Sequence, residues 1–389
     1  MKKYKIGDIL ELQRGYDLPS SQMEDGDVLV AGSNGIIGTH NVARGKMPCI
    51  TVGRSGSVGK VHFYDQPVWA HNTSLFVKDF KGNDPKYLFY FLRNLHLDEI
   101  FGKSSSVVPS LDRKVVHAMK VPFQDDVNKQ KDVADVLSLL DRKIALNRAI
   151  NDNLEAMVKL LYDYWFVQFY FPNEEGKPYK SSGGKMVWND KLKREIPEGW
   201  EVGNLSDFLQ VITERVSAST VNESTKYAPI EVLPRKKMSF NECAPIENAI
   251  SGLCAFRHKN ILLSNRRVYF HKVCIAAFDG ITRDTVIVLK PNANDLLGYS
   301  YQLVNDNVFI EYATRHSYGS EQPVLSWESA KMYKVLKPKS GLDVLYSKCA
   351  DSIIDCVIEN ELEIANLTKQ RDELLPLLMN GQVSPLNSD

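Results

Sequence analysis

The sequence predicts an α+β protein with an internal repeat: two β-rich lobes of mixed α/β structure, separated by two long helices. Two helix-forming segments carry apolar heptad seams, and these seams coincide after a shift of 213 residues. Short β-rich runs also recur in the same order in both halves. The predicted segments are a first lobe at 1–124, a central helix at 125–168, a linker at 169–200, a second lobe at 201–338, a C-terminal helix at 339–380 and a tail at 381–389.

The central helix is predicted from residues 125–166, which contain no Gly or Pro. Apolar residues alternate there at three- and four-residue steps, which is the spacing of a coiled-coil-forming helix. The C-terminal segment has the same seam, with Asn360 aligned on Asn147. A polar residue in such a seam often fixes the register of the pair. The predicted core of the helix pair comprises Leu137, Leu140, Ile144, Asn147, Leu154, Leu161, Ile353, Val357, Asn360, Ile364, Leu367 and Leu374.

The two helices are expected to pack antiparallel, which would place one lobe at each end. About 37 helical residues span about 55 Å. Each lobe combines β-rich runs with turn-rich loops and one short helix. The predicted strands are 48–52, 58–64 and 73–77 in the first lobe and 260–263, 273–277 and 285–289 in the second, with short helices at 85–95 and 296–304. The Gly- and Ser-containing linker is predicted to be extended and exposed.

Composition limits the class of protein. The chain has 389 residues, 43% hydrophobic and 25% charged, with a formal net charge of zero. Lys and Arg nevertheless exceed Asp and Glu by 16 to 12 in residues 1–124 and by 16 to 14 in residues 201–338. There is no apolar run of membrane-spanning length, no N-terminal apolar segment typical of a signal peptide and no Cys-x-x-Cys pair. A reducing cytoplasm is therefore the expected location, with no metal bound.

A glycine-rich loop at 53–60 resembles a phosphate-binding loop at first sight. Such a loop needs four residues between Gly and Gly-Lys, followed by Ser or Thr. Five residues separate Gly53 from Gly59 here, and Val61 follows Lys60. The loop is therefore interpreted as a tight turn between strands that brings Arg54 and Lys60 close to an anionic partner.

Known catalytic patterns are missing from the sequence. It has no Asn/Asp-Pro-Pro-aromatic motif, no Gly-x-Gly-x-x-Gly, no His-Glu-x-x-His and no nucleophile elbow. No catalytic residue is therefore predicted. A nuclease or methyltransferase acting alone stays open as an alternative, as does a scaffold that binds protein or RNA.

With these features the chain resembles the specificity (S) subunits of type I restriction–modification systems. The resemblance covers nearly the whole length. It is carried by the order and spacing of short stretches, namely 108–114 (VPSLDRK), 139–147 (LLDRKIALN), 160–169 (LLYDYWFVQF), 171–178 (FPNEEGKP), 195–200 (EIPEGW) and 372–383 (DELLPLLMNGQV).

The resemblance implies a non-catalytic DNA-recognition subunit. Each lobe would be a target-recognition domain that reads one half of a bipartite double-stranded DNA site, and the helix pair would set the gap. The helices would dock two modification subunits, which bring S-adenosylmethionine and methylate adenine. Restriction subunits would add ATP- and Mg-dependent translocation and cleavage. No cofactor is expected on this chain.

Individual DNA contacts are predicted from side-chain chemistry. Lys and Arg can neutralise phosphates, an amide can read adenine, and Ser or Gln can donate to phosphates or base edges. The candidates are Asn34, Arg54, Ser57, Lys60, Ser105 and Ser106 in the first lobe and Arg257, Arg266, Arg267, Arg283, Ser320 and Gln322 in the second. An aromatic cluster after the first seam suggests docking of a partner or merely poor solubility, with packing of part of the cluster on the second lobe as the alternative; its members are Tyr162, Tyr164, Trp165, Phe166, Phe169 and Phe171.

Overall fold

The computed structural model describes residues 1–102, 110–339 and 341–385. It contains two long helices and mostly antiparallel sheets, two of which also include one parallel pair of strands, so the predicted α+β class is confirmed. The chain forms two compact units: unit 1 comprises Met1–Lys143 with Leu367–Asp389, and unit 2 comprises Ile144–Asn366. Both divisions fall inside long helices, and the predicted domain boundaries stay a prediction.

Unit 1 is built on a four-stranded sheet of order β2-β8-β5-β6, next to a three-stranded sheet of order β4-β3-β7 and the pair β1-β9. Its strands are β1 Lys2–Lys5, β2 Glu11–Arg14, β3 Val28–Gly32, β4 Gly35–His40, β5 Cys49–Gly53, β6 Val61–Tyr64, β7 Val68–Ala70, β8 Ser74–Asp79 and β9 Lys120–Phe123. Its helices are α1 Ile6–Ile9, α2 Pro85–Asn94, α3 Leu97–Phe101 and α4 Arg113–Ala118, and α5 Val127–Tyr162 begins in it.

Local sequence explains the central elements of unit 1. Strand β5 is buried along its whole length, which suits its run of Ile50, Thr51 and Val52. Helix α2 begins where the Asp84 side chain accepts a hydrogen bond from the Tyr87 N–H, with Pro at the first helical position. Its apolar face then packs Leu88 and Leu92 into the core.

Unit 2 is built on a five-stranded sheet of order β13-β20-β17-β18-β15 and a three-stranded sheet of order β14-β16-β19. Its strands are β10 Met186–Asn189, β11 Arg194–Pro197, β12 Glu201–Asn204, β13 Leu209–Ile212, β14 Arg215–Val216, β15 Ser239–Phe240, β16 Leu253–Phe256, β17 Ile261–Ser264, β18 Val273–Ala276, β19 Gly280–Arg283, β20 Val286–Pro291 and β21 Lys334–Lys337. Its helices are α6 Leu297–Asn305, α7 Asn307–Arg315 and α8 Trp327–Ala330, and α9 Leu342–Met379 begins in it.

The two units repeat one topology. The order β2-β8-β5-β6 corresponds to β13-β20-β17-β18, and the pair β1-β9 corresponds to β12-β21. The repeat is not perfect, because β7 pairs parallel with β3 whereas β19 pairs antiparallel with β16. Each unit also holds more short helices than the single one predicted per lobe. These extra helices are four to nine residues long, which is near the limit of what hydrophobic periodicity can detect.

Segments of α5 and α9 lie antiparallel in unit 2. The Tyr346 hydroxyl donates to the Val158 carbonyl at 2.9 Å, and the Asn147 amide donates to Glu363 at 2.7 Å, so residue numbers rise along one segment as they fall along the other. In unit 1 the two helices are also in contact, since the Arg371 guanidinium donates to Asp141 at 2.8 Å.

Burial follows the predicted seams. Among the predicted core residues of the helix pair, Leu137, Ile144, Asn147, Val357, Ile364 and Leu367 are buried, and Leu140, Leu154, Leu161, Ile353, Asn360 and Leu374 are half-buried. Ile354 and Ile358 are also buried but stand outside the predicted seam. Both join the core of unit 2, so this part of α9 has a wider apolar face than a simple two-stranded coiled coil needs.

The prediction of an extended linker at 169–200 was wrong, and its predicted exposure is confirmed for only part of the segment. Strands β10 and β11 form a hairpin there, and Phe169, Phe171 and Trp200 are buried. The Phe171 ring stacks on Trp200 with 5.2 Å between ring centroids. The Gly, Pro and Ser residues of this segment suggested a loop, but its large aromatic side chains gain enough from burial to fold it onto unit 2.

The aromatic cluster after the first seam is mostly core. Tyr162 and Phe166, with Phe169 and Phe171, are buried in unit 2. Trp165 is half-buried, and Tyr164 is 40% exposed. For the four buried rings, packing on the second lobe is the correct interpretation and partner docking is wrong.

No described helix is long and apolar enough to cross a membrane. Within the described ranges, no group of three or more His, Cys, Asp or Glu side chains is arranged to hold a metal ion.

Candidate nucleic-acid interfaces

The glycine-rich loop of unit 1 is a closed turn between β5 and β6. The Gly53 N–H donates to the Lys60 carbonyl at 2.8 Å, and the Gly59 N–H donates to the Gly53 carbonyl at 2.9 Å. Gly59 has φ +82°, and a Cβ there would lie 2.2 Å from the Asp98 nitrogen at the start of α3. Glycine is required at this position, because both the backbone conformation and the close approach exclude a side chain. The loop is thereby held rigidly in place.

A basic groove of about 990 Å³ lies beside this loop in unit 1. Four arginines and two aspartates line it: Arg14, Arg44, Arg54, Arg113, Asp17 and Asp112. Asp17 forms an ion pair with Arg14 at 3.3 Å, and Asp112 accepts from the Lys114 N–H at the start of α4. Four positive side chains against two negative ones leave the groove a positive excess that suits phosphate oxygens.

Arg44 is a groove residue that the sequence analysis missed. Its guanidinium lies over Trp69 at 4.9 Å and over Tyr16 at 5.2 Å from the ring centroids. These cation–π contacts orient a planar, permanently charged group. The three residues are 28 and 25 positions apart in sequence, so no local motif connects them.

The predicted first-lobe residues fall into two sets. Arg54 lines the basic groove, whereas Lys60 donates to the Asn34 side-chain oxygen at 2.8 Å on the neighbouring β3–β4 hairpin. Ser57 is half-buried inside the loop. Ser105 and Ser106 lie outside the described residues. DNA contact by any of these residues stays a prediction.

The loop between β17 and β18 in unit 2 is equivalent to the glycine-rich loop of unit 1, because the same backbone hydrogen bonds hold both loops. The Arg54 N–H donates to Thr73 at 2.8 Å, and the Asn265 N–H donates to Thr285 at 3.0 Å. The Leu111 N–H donates to the Arg54 carbonyl at 2.8 Å, as the Leu325 N–H does to the Asn265 carbonyl at 2.9 Å. Asn265 is thus the counterpart of Arg54, so the two units present different side chains on one backbone frame.

Four predicted residues of unit 2 gather around this loop. The Arg267 N–H donates to the Pro323 carbonyl at 3.1 Å, and Arg266 forms a β-bridge with Val324. Tyr318 and Val324 close a short turn that carries the exposed Ser320 and Gln322.

The other two predicted arginines of unit 2 stand apart from each other. Arg283 is paired with Leu253 at one end of β16 and precedes Asp284, whose carbonyl accepts from the Asn265 amide. Arg257 follows the other end of β16 and forms an ion pair with Glu214 at 2.8 Å. The Arg257 charge is therefore partly neutralised within the unit.

Unit 2 has a pocket of about 400 Å³ where α5 and α9 meet residues 231–242. Half-buried carboxylates line this pocket. Glu155 accepts from the Met238 N–H at 3.0 Å, and Glu361 accepts from the Asn241 amide at 2.6 Å. Burial raises the pKa of Glu155 to about 7 and also raises that of Glu361. These hydrogen bonds join the helix pair to the rest of unit 2.

We expect the buried Glu155 carboxyl to make the stability of unit 2 depend on pH. The folded chain binds this proton more tightly than the unfolded chain, whose Glu pKa is near 4.5. The free energy of unfolding should therefore fall as pH rises from about 4.5 to about 7. We expect Glu155→Gln, which keeps an oxygen for Met238, to flatten this dependence and to stabilise the protein at pH 8 by about 1–3 kcal/mol. Urea unfolding of both proteins at pH 5 and pH 8 measures the free energy of unfolding and its change with pH.

Glu359→Gln makes the same change at an exposed position of α9 and is the matched control. An equal effect of both substitutions would show that overall charge, and not burial of Glu155, controls the pH dependence.

Comparisons with known proteins all find similarity to specificity proteins of type I restriction systems. Residues 1–156 match the family model described as type I restriction modification DNA specificity domain. The chain is 25% identical over 313 residues to the type I restriction enzyme MjaIX specificity subunit of Methanocaldococcus jannaschii. The aligned region covers 77% of this chain and 69% of that protein. It is 20% identical over 365 residues to the HindI specificity subunit of Haemophilus influenzae, covering 77% of each.

The fold is also shared with a solved structure. The type I restriction–modification S subunit from M. genitalium superposes with a TM-score of 0.61 at 15% identity, covering 97% of this chain and 96% of that chain. The resemblance inferred from the sequence is therefore confirmed.

Proposed function

Because the chain is related to the specificity subunits of type I restriction–modification systems, we propose that it reads a bipartite site on double-stranded DNA, one half by each unit. The matching loop frames of the two units carry this proposal. The backbone hydrogen bonds of Arg54 and Asn265 are equivalent, while the side chains around them differ. A constant frame with variable side chains is what reading two different sequences requires.

Affinity and sequence choice come from different groups. The arginines of the basic groove in unit 1 contact phosphates and supply the salt-dependent part of binding. Side chains on the loops and on the β3–β4 hairpin contact base edges. In unit 2, Arg266 and Arg267 would likewise contact the phosphates of the DNA backbone. Ser320 and Gln322 would contact the bases.

The helices α5 and α9 set the gap between the half-sites. Helix α5 has 36 residues, which corresponds to about 54 Å at 1.5 Å per residue. One turn of B-DNA is about 34–36 Å, so this length is sufficient to separate two readers by more than one turn. The chain itself catalyses nothing in this proposal, and S-adenosylmethionine, ATP and Mg are bound by partner subunits.

The decisive experiment maps methylated adenines in the genome of cells that carry this chain with its modification subunits. A matched insertion of four residues in α5 and in α9 lengthens each by about 6 Å. We expect the gap to grow by about two base pairs while both half-sites keep their sequences. Altered half-sites with an unchanged gap would refute the spacer role, and the absence of any common sequence would favour a scaffold for protein or RNA.

An exposed apolar stripe on α5 supports docking of the modification subunits. Within unit 2, Leu146, Met157 and Leu160 are 60%, 51% and 68% exposed. Ile150 continues the stripe at 39% exposure, and Tyr164, just beyond the end of α5, is 40% exposed. The four positions on α5 fall on one helical face, and large apolar side chains exposed together mark a protein contact.

We expect Leu160→Glu to weaken binding of the modification subunits about tenfold to hundredfold, since it places an unpaired charge in an apolar contact. Size-exclusion chromatography and titration of the purified subunits measure this. Ile250→Glu is the control, because Ile250 is 75% exposed in unit 2 but is not on α5. If both variants weaken binding equally, or if neither weakens it, the docking surface lies elsewhere.

A further inference from the structure

The β3–β4 hairpin and the end of the glycine-rich loop hold two polar side chains together at the surface of unit 1. Asn34 is at the hairpin tip and Lys60 immediately precedes β6; both are exposed. The Lys60 ammonium donates to the Asn34 side-chain oxygen at 2.8 Å. A lysine has no acceptor, so this contact fixes which end of the amide faces it.

The backbone around this pair is fixed by close packing. A Cβ on Gly53 would lie 2.8 Å from the Ser33 carbonyl oxygen, so the loop touches the hairpin tip without space for a side chain. Lys60 immediately precedes β6, and His62 is the second residue of that strand. The His62 ring lies 3.7 Å from the place of a Cβ on Gly35. Hairpin, loop and strand thus position the pair together.

The pair presents hydrogen-bond donors to a ligand. Among the residues that the structure describes, no other side-chain hydrogen bond involves this pair, so the Asn34 amide keeps both of its N–H donors and the Lys60 ammonium keeps two of its three. The Asn34 oxygen is beside a positive charge, so an approaching amino group would be repelled. Adenine and cytosine both present an amino group in the major groove, whereas guanine presents two acceptors, O6 and N7. An isolated asparagine at this position would instead favour adenine.

We propose that Asn34 and Lys60 act as one base-reading element that selects guanine in the half-site recognised by unit 1. This inference rests on the proposed function and adds a base identity to it. Lys60 determines the choice in two ways: it donates to guanine, and it occupies the oxygen through which Asn34 would read adenine.

The test compares methylated sequences for the wild-type chain and two variants, each expressed with its modification subunits. The wild type is expected to require guanine at one position of one half-site. Lys60→Met releases the Asn34 oxygen, and that position should shift from guanine towards adenine, roughly tenfold to hundredfold in relative methylation rate. Asn34→Asp supplies an acceptor and should reduce the preference for guanine at the same position. The other half-site should be unchanged in both variants.

Lys86→Met is the matched control, because Lys86 is exposed on α2 of the same unit. The inference is overturned if Lys60→Met leaves the half-site sequence unchanged and only lowers methylation at all sites, which is the behaviour of a phosphate contact. It is also overturned if the wild-type half-sites contain no guanine, or if both variants lose recognition of the other half-site. A wild-type chain that gives no common sequence at all would instead refute the proposed function.

Discussion

Tyr346→Ala is expected to lower the free energy of unfolding of unit 2 by about 3–5 kcal/mol, the usual cost of removing a buried aromatic side chain. The Tyr346 side chain is fully buried on α9. Its ring contacts Phe166 and Tyr162 at centroid distances of 5.3 and 5.8 Å, and its hydroxyl donates to the Val158 carbonyl on α5. Removing it opens a cavity at the junction of both helices with the aromatic core.

Urea unfolding followed by tryptophan fluorescence measures this effect. Trp165, Trp188, Trp200 and Trp327 lie in unit 2, and Trp69 lies in unit 1. The fluorescence of a Trp69→Phe background therefore reports on unit 2 alone. Tyr346→Phe keeps the ring and removes one hydrogen bond, so it should cost only about 1 kcal/mol. If the two substitutions cost the same, the hydroxyl and not the ring holds this junction together.

The second large effect concerns the basic groove of unit 1. We expect the double variant Arg54→Gln and Arg113→Gln to bind duplex DNA about tenfold to hundredfold more weakly at 0.1 M salt. Each lost phosphate contact should also reduce the slope of log K against log salt by about 0.9, and the pair by about 2. Both arginines line the groove, whereas its two carboxylates already have partners.

Fluorescence anisotropy over a salt series, with the modification subunits present, measures both quantities. The control is the double variant Lys86→Gln and Lys131→Gln, which removes the same charge from exposed positions of unit 1 that do not line the groove. A control that loses as much affinity and slope as the groove variant would mean that overall charge, and not this groove, attracts DNA.

The position of Arg44 illustrates why the groove could not be read from the sequence. Arg44 has no distinctive neighbours along the chain, and its orientation depends on Trp69 in β7 and on Tyr16, which follows β2. Arg257 illustrates the reverse case. It was a reasonable candidate by charge, but folding places Glu214 beside it at 2.8 Å. Charge type can be read locally, whereas the partner of a charge is set by the tertiary structure.

The sequence by itself determined the long helices, the internal repeat and most central strands. Helix and strand periodicities depend on neighbours a few residues apart, and a repeated pattern is visible without any contact between its copies. Only the tertiary structure decided that 169–200 folds onto unit 2, that Asn265 is the counterpart of Arg54, and that Lys60 reaches Asn34. These features join residues that are distant in the chain, and the close packing that selects them exists only after the chain has folded.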